Sequence, residues 1–166
     1  IGKACPLFVP LVEEGLLEYS EIDSIDWGWQ ADRVDFGILY QNRLNVLRKA
    51  YTRFVGGADF DRFCKENENW LPDFALFMAL KERFNGQPWY AWEDDLKLRK
   101  PEAISLAREQ LSGEIHFFCF VQYVFDKIYS NRVSMDAAID EEKETDNVYI
   151  GRYVLVSYEY GNDKTY

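Results

Sequence analysis

The stretch WLPDFALFMALKERFNGQPWYAW, residues 70–92, decides the fold because it joins the clearest helical pattern in the chain to its clearest turn. Apolar residues recur at helical spacing in its first half, so one broad face must be buried. Pro72 suits a first helical turn, where a missing N–H costs nothing, and Asn85 and Gly86 supply a left-handed stop. The pattern predicts a helix over residues 72–84. Its apolar face comprises Leu71, Phe74, Ala75, Phe77, Met78 and Leu80.

Three large aromatic rings follow this helix within residues 88–92. Trp89 and Trp92 can form a platform for a sugar ring, or they can lock a turn beneath the helix. The second explanation is the more common use of tryptophan, whose large apolar surface dominates the energetics of cores.

Composition limits the classes of partner. An apolar fraction of 48% and an aromatic fraction of 17% predict a folded chain, and 166 residues is the length of one ordinary domain. The net charge of −10 argues against nucleic acid and anionic membranes, which both require a cationic face. Neutral sugars remain open as ligands. No window approaches eighteen consecutive apolar residues, so a soluble chain is expected.

The cysteines carry no metal-binding pattern. Cys5, Cys64 and Cys119 lack metal-ligand spacing, and an odd count is not a disulfide framework. These observations predict a cytoplasmic protein with no metal site and no cofactor.

Helical patterns account for most of the remaining chain. They predict a short helix closed by Gly15, a long helix over residues 33–55 and another over residues 59–70 with Phe60, Phe63 and Trp70 facing inward. A last long helix begins at Pro101 and runs to residue 125, with Gly113 inside it.

The end of the chain has a different character. Residues 136–146 are rich in acids, whereas residues 148–160 are β-branched and aromatic enough for a strand or one half of a hairpin. The sequence therefore predicts a mostly α fold of about five helices with a short C-terminal β segment (α+β). We divide it into a helical domain, residues 1–131, and an unassigned acidic and β segment, residues 132–166.

Several motifs resemble the amylomaltases, the 4-α-glucanotransferases of the α-amylase-like barrel superfamily. That family has similar runs of the form R-V-D-Y-G-x-L-Y, W-L-x-D-[YF]-A-L-F-M-A-L-K, G-x-P-W-x-x-W and E-[IV]-x-F-x-x-F-x-Q-[WY]. The matching segments here are LVEEGLL (residues 11–17), RVDFGILY (33–40), WLPDFALFMALK (70–81), GQPWYAW (86–92) and EIHFFCFVQY (114–123). The resemblance covers residues 11–125, and both ends of the chain depart from the family, the second after Lys127.

The resemblance implies a helical subdomain inserted early in a (β/α)₈ barrel, beside the glucan cleft. The catalytic carboxylates of the family lie on later barrel strands, and their I-D-H, E-D-L-G and T-H-D-N motifs are absent here. Tyr40 matches the second aromatic of the R-V-D-Y-G-x-L-Y motif, which in amylomaltases belongs to a secondary glucan-binding site. A tyrosine that packs between helices remains the alternative.

Two groups of residues invite a catalytic interpretation. Retaining glycosyl transfer needs two carboxyl groups about 5 Å apart. Glu93, Asp94 and Asp95 are adjacent in sequence and do not face one another, so a solvated acidic turn is the better explanation. His116 is better explained as a core or interface histidine.

The expected function is that of a fragment or derivative of a 4-α-glucanotransferase acting on α-1,4-glucans, itself non-catalytic, that binds glucan weakly through Tyr40, Trp89 and Trp92. The alternative is a helical interaction or scaffold module, of chimeric or designed origin, that forms a homodimer or meets a protein partner through its apolar face or its C-terminal strand. Whether the chain is an enzyme stays open. An independent enzyme using residues 93–95 is the least favoured interpretation.

Overall fold

The computed structural model describes residues 8–28 and 35–139, with side chains described as far as residue 128. These residues form α-helices, one 3-10 helix and the turns between them, with no strand in this part of the chain. The predicted mostly α fold is confirmed. The chain divides into two compact units, Ile1–Gly57 and Ala58–Tyr166.

The first unit contains three helices, described within residues 8–28 and 35–57. Gly15 ends the first of them with a φ of 72°, and the backbone N–H groups of Leu16 and Leu17 both donate to the Leu11 carbonyl. The helices are α1 (Val9–Glu13), α2 (Tyr19–Asp23) and α3 (Phe36–Arg53). The buried apolar side chains are Phe8, Leu11, Leu17, Ile22, Trp27, Leu39, Val46, Leu47 and Ala50.

The second unit is organised around the helix that the opening stretch predicts. Its helices are α4 (Ala58–Glu66), α5 (Leu71–Arg83), the 3-10 turn Trp89–Ala91, α6 (Asp94–Lys97), α7 (Pro101–Gln110) and α8 (Ser112–Ile139). Packing is most extensive between α5 and α8, α4 also packs on α8, and α7 touches α5, α6 and α8. The central helix therefore has neighbours on several sides.

The end of α5 follows the sequence prediction. Asn85 and Gly86 have φ values of 53° and 77°, and the Gly86 N–H donates to the Lys81 carbonyl at 2.8 Å. This bond caps a carbonyl of the last turn that has no partner within the helix.

The predicted buried face of α5 is partly wrong. Phe74 and Phe77 are only half-buried, whereas Leu76 and Ala79, which we did not assign to that face, are 1% exposed. Because α8 and α7 both contact α5, burial extends around most of the helix and does not follow one stripe. A single-face pattern cannot describe a helix enclosed in this way.

The prediction of one long helix from Pro101 to residue 125 is also wrong. The helix that begins at Pro101 ends before Leu111, which has φ and ψ of −107° and 19°. Helix α8 begins at the next residue. The Leu111 N–H still donates to Ala107 O at 2.9 Å, and Leu111 O accepts from the Ile115 N–H at 2.8 Å. The backbone hydrogen bonds therefore continue from α7 into α8. The spacing of apolar residues predicts one helix here because it does not register a change of direction at a single residue.

The predicted inward face of α4 is right at two positions and wrong at the third. Phe60 and Phe63 are buried, but Trp70 lies beyond the end of the helix and is 39% exposed. Asn67 causes the early end, because its side chain donates to the Phe63 carbonyl at 2.8 Å and accepts from Trp70 Nε1 at 2.9 Å. An asparagine side chain that bonds to the local backbone competes with helix continuation.

The helix predicted over residues 33–55 begins later and ends earlier than expected. Its apolar residue Val55 lies in the extended segment after Arg53 and is 97% exposed, and Ile38 is 37% exposed.

Some predictions fall outside the described residues. The β segment over residues 148–160 lies there, and so does most of the acidic segment. Helix α8 continues past residue 131 to Ile139, and the domain boundary near residue 131 stays a prediction. Among the described helices, none combines the length and the apolar character needed to cross a membrane.

Candidate functional site

The first turn of α3 is fixed by one aspartate. The Asp35 side chain accepts a hydrogen bond from the Ile38 N–H at 3.1 Å, which caps the helix, and its own N–H donates to the Gly28 carbonyl at 2.8 Å. An aspartate at this position satisfies one of the donors that every helix start leaves without a partner. The residues that follow, Tyr40 included, are therefore held in a defined orientation.

Gly28 allows the chain to approach this cap. Its φ is 70°, and a Cβ atom placed on it would lie 2.6 Å from the Asp35 carbonyl oxygen. The Gly28 N–H donates to the Asp26 carboxylate at 2.8 Å, and the Asn42 side chain donates to the Asp26 carbonyl. Only glycine fits a position that combines a left-handed conformation with so close a contact.

Tyr40 shares its face of α3 with a second aromatic ring that the sequence analysis did not select. Phe36 lies four residues earlier, one helical turn away, and is 52% exposed, whereas Tyr40 is half-buried. Residues at this spacing are neighbours on a helix surface. We call Phe36 and Tyr40 the α3 aromatic face. The spacing was visible in the sequence, but we interpreted Phe36 only as part of a family motif.

The two tryptophans predicted as a platform lie in different environments. Trp92 is 7% exposed, stacks on Phe84 with ring centroids 5.5 Å apart, and donates from Nε1 to the Gln87 carbonyl at 3.1 Å. Trp89 is 49% exposed and meets Tyr90 edge to face at 6.2 Å. Trp92 therefore lies where a tryptophan that locks the turn would lie. Trp89 and Tyr90 are the aromatic residues that the turn exposes.

The acidic triplet forms the first turn of α6. Asp94 pairs with Lys97 at 2.6 Å, and Asp95 pairs with Lys100 at 2.6 Å. The Lys97 ammonium holds the pKa of Asp94 below its usual range. A general acid in glycoside chemistry needs the opposite shift, toward a proton retained near neutral pH. The environment of Asp94 is that of an exposed ion pair.

His116 lies on α8 where that helix meets α4. Its ring is exposed and contacts Phe60 edge-on, with ring centroids 5.2 Å apart. Of the two explanations given for this histidine, the interface position describes it better than a core position. In the described part of the chain, no cluster of three or more His, Cys, Asp or Glu side chains could hold a metal ion.

Comparison with known proteins agrees with the resemblance seen in the motifs. A family model described as 4-alpha-glucanotransferase matches residues 6–138. The match extends past Lys127, so the expected departure from the family at that point is wrong as far as residue 138.

Curated relatives and a solved structure give the same result. The chain is 40% identical over 131 residues to a 4-alpha-glucanotransferase of Streptococcus pneumoniae, covering 73% of this chain and 26% of the relative. It is 34% identical over 131 residues to one from Clostridium butyricum, covering 76% and 27%. An amylomaltase from Streptococcus agalactiae in complex with acarbose superposes with a TM-score of 0.67 and 32% identity, over 75% of this chain and 26% of that one. The chain spans about a quarter of the length of these relatives.

Proposed function

We propose that this chain, which belongs to the 4-alpha-glucanotransferase family, contributes glucan binding and not bond cleavage to such an activity. The observation that carries the proposal is the α3 aromatic face, where a half-buried Tyr40 stands one turn from an exposed Phe36. Its substrate class is α-1,4-glucan.

The chemistry of this face suits a sugar. Aromatic rings offer an apolar face to the C–H groups of a pyranose, and a tyrosine hydroxyl can both donate to and accept from sugar hydroxyls. A partly buried ring is already held in place, so little side-chain entropy is lost when the ligand binds. The Asp35 cap and the close contact of Gly28 with Asp35 hold the first turn of α3, which carries Phe36.

The aromatic turn of the second unit offers a further contact for glucan. Trp89 presents about half of its surface, with Tyr90 beside it. Trp92 acts through the turn, which it holds by stacking on Phe84 and bonding to the Gln87 carbonyl. In this proposal Tyr40 in the first unit and Trp89 in the second each offer a separate contact for glucan, and Trp92 positions Trp89.

Catalysis is not part of the proposal. The family's carboxylate motifs are absent from the sequence, and the exposed acids of α6 are paired with lysines. A retaining mechanism requires one carboxyl group that attacks and one that protonates the leaving oxygen, close together. Asp94, whose pKa is lowered by its ion pair with Lys97, is unsuited to the second role.

Titration with maltoheptaose tests the proposal. The full chain should bind saturably, as followed by tyrosine and tryptophan fluorescence, and Tyr40→Ala should bind about tenfold more weakly or worse, a loss of about 1.4 kcal/mol. Tyr40→Phe retains the ring and separates stacking from the hydroxyl contact. Tyr19→Ala is the matched control, since Tyr19 is an exposed tyrosine on another helix.

Two results would contradict the proposal. The first is equal binding by Tyr40→Ala and the unmodified chain. The second is disproportionation of maltotriose in the same samples, which would mean that the chain carries chemistry of its own.

The second candidate function is a helical interaction module. It is favoured by apolar side chains that remain exposed in the second unit, notably Leu98 at 67% and Leu106 at 53%. Exposed apolar surface promotes association when it is contiguous.

A further inference from the structure

Two thiols on different helices lie near each other within the second unit. Cys64 on α4 and Cys119 on α8 are both half-buried and free, and each thiol is close enough to the other to influence its pKa. The proposed function uses neither residue. Their spacing and the odd cysteine count predicted neither a metal site nor a disulfide framework.

Helix packing brings the two thiols together. Phe60 lies one turn before Cys64 on α4, and its ring contacts both His116 and Tyr123 of α8 at 5.2 and 5.4 Å. Cys119 lies between those two residues on the same face of α8. Side chains separated by three or four positions share a helix face. The packing of α4 on α8 that brings these aromatic rings together therefore also brings Cys64 near Cys119.

We propose that Cys64 and Cys119 are the site of a reversible disulfide that fastens α4 to α8. The proposal names a small disulfide such as oxidised glutathione as the oxidant. One cysteine thiolate attacks it, forming a mixed disulfide and releasing one glutathione thiolate. The second cysteine thiolate then attacks the protein sulfur of that mixed disulfide and expels the other glutathione. The protein loses two electrons and two protons, and the oxidant becomes two molecules of reduced glutathione.

The resting state of the pair is the dithiol. Burial raises the pKa of both thiols, that of Cys119 to about 11, so little thiolate is present near neutral pH. Oxidation is therefore slow and depends on a sustained supply of oxidant. In a reducing compartment the pair stays reduced.

Formation of the bond would close a loop that contains α5, α6 and α7. A cross-link of this kind stabilises a protein mainly by restricting its unfolded chain, and long loops gain most. Because α4 already packs on α8 and the two thiols lie near each other, the bond should form with little rearrangement of the two helices. The expected result is a more stable second unit.

The full chain, incubated with oxidised glutathione, tests this proposal. We expect the free thiol count to fall from three to one. Peptide mapping should show an intramolecular link between the peptides that carry Cys64 and Cys119. The midpoint of thermal unfolding should rise by at least about 5 °C, and dithiothreitol should reverse all three changes.

Single variants identify the pair. Cys5→Ser should form the link as readily as the unmodified chain, whereas Cys64→Ser and Cys119→Ser should not form it, with helical circular dichroism confirming that each variant folds. A link that involves Cys5, glutathione adducts without a cross-link, or a lowered unfolding midpoint after cross-linking would overturn the proposal. The peptide map of the unmodified chain decides the pairing even if a variant does not fold. No result depends on glucan binding, so this proposal and the proposed function can fail separately.

Discussion

At the scale of single residues, Glu21 has the strongest set of charged contacts in the described part of the first unit. Its carboxylate accepts two hydrogen bonds from Arg53, at 2.7 and 2.8 Å, pairs with Lys49 at 2.8 Å and accepts from the Glu18 N–H at 2.9 Å. Arg53, then Lys49, then the Glu18 N–H hold the pKa of Glu21 well below its usual range. Bidentate arginine contacts of this kind are stronger than single ion pairs.

This residue should make stability depend on pH. The folded-state pKa lies below the ordinary value of 4.5, so the folded state binds fewer protons than the unfolded one. The stabilisation is therefore complete above that value and is lost as the pH falls below it. We expect the midpoint of thermal unfolding to fall between about pH 6 and about pH 3, and to fall less in Glu21→Gln.

The matched control removes a more exposed ion pair. Asp59→Asn breaks the contact of Asp59 with Arg62, in which both side chains are 67% exposed, and should leave the pH dependence nearly unchanged. Equal pH dependence in Glu21→Gln and the unmodified chain would mean that these contacts contribute nothing to folding.

At the scale of helices and turns, the sequence predicted the helix ends that are set by the type of one or two residues. It missed the helix ends that are set by contacts with other side chains or helices. Asn85 and Gly86 stop α5 as expected, because their left-handed conformations are a property of those residue types. The break at Leu111 leaves no comparable sign. Leu111 and Ile115 keep helical spacing across it, and burial on several sides blurs the pattern on which periodicity relies. Trp70 was misplaced because the Asn67 side-chain contacts that end α4 are not visible in a pattern of apolar residues.

The start of α3 depends on a glycine contact that can be tested directly. Gly28→Ala would place a methyl group 2.6 Å from the Asp35 carbonyl oxygen in a left-handed conformation. We expect it to lower the free energy of unfolding by about 2–4 kcal/mol, which combines backbone strain with displacement of the cap. Chemical denaturation followed by circular dichroism measures the change.

Gly15→Ala is the matched control because Gly15 has a φ of 72° but no atom within 4 Å of the added Cβ. Gly15→Ala should lower the free energy of unfolding by about 1–2 kcal/mol, which is the strain of the left-handed conformation alone. If the two variants are equally stable, the close approach of Gly28 to Asp35 does not matter for folding.

At the scale of the whole molecule, the sequence predicted the fold class and the family. The chain divides into two compact units after Gly57, where Gly56 and Gly57 were interpreted as the stop of a helix, and the domain boundary near residue 131 stays a prediction. The candidate site was predicted in part. The resemblance to the amylomaltases selected Tyr40, and the cluster of rings after α5 selected the two tryptophans. Neither reveals which tryptophan is buried, since that depends on the stacking of Trp92 on Phe84.

The prediction at this scale is the association of the chain with a second copy of itself. If the interaction module is the right function, exposed apolar residues such as Leu98 and Leu106 should drive dimer formation. Light scattering over a range of concentrations measures it, and Leu98→Lys with Leu106→Lys should reduce it. A monomer at high concentration counts against this second candidate function and leaves glucan binding untouched.

The one-residue junction at Leu111 has a mechanical consequence. Helix α7 is fastened to the first turn of α5 by Arg108, which bonds to Asp73 and to the Pro72 carbonyl, and α8 leaves α7 without an intervening loop. A change in the angle between α7 and α8 would therefore have to disturb either the backbone bonds across Leu111 or the contacts of Arg108 with α5. Trp92 packs in one cluster with Leu80 of α5 and Ala107 of α7, so the aromatic turn that carries Trp89 is attached to both of these helices at once.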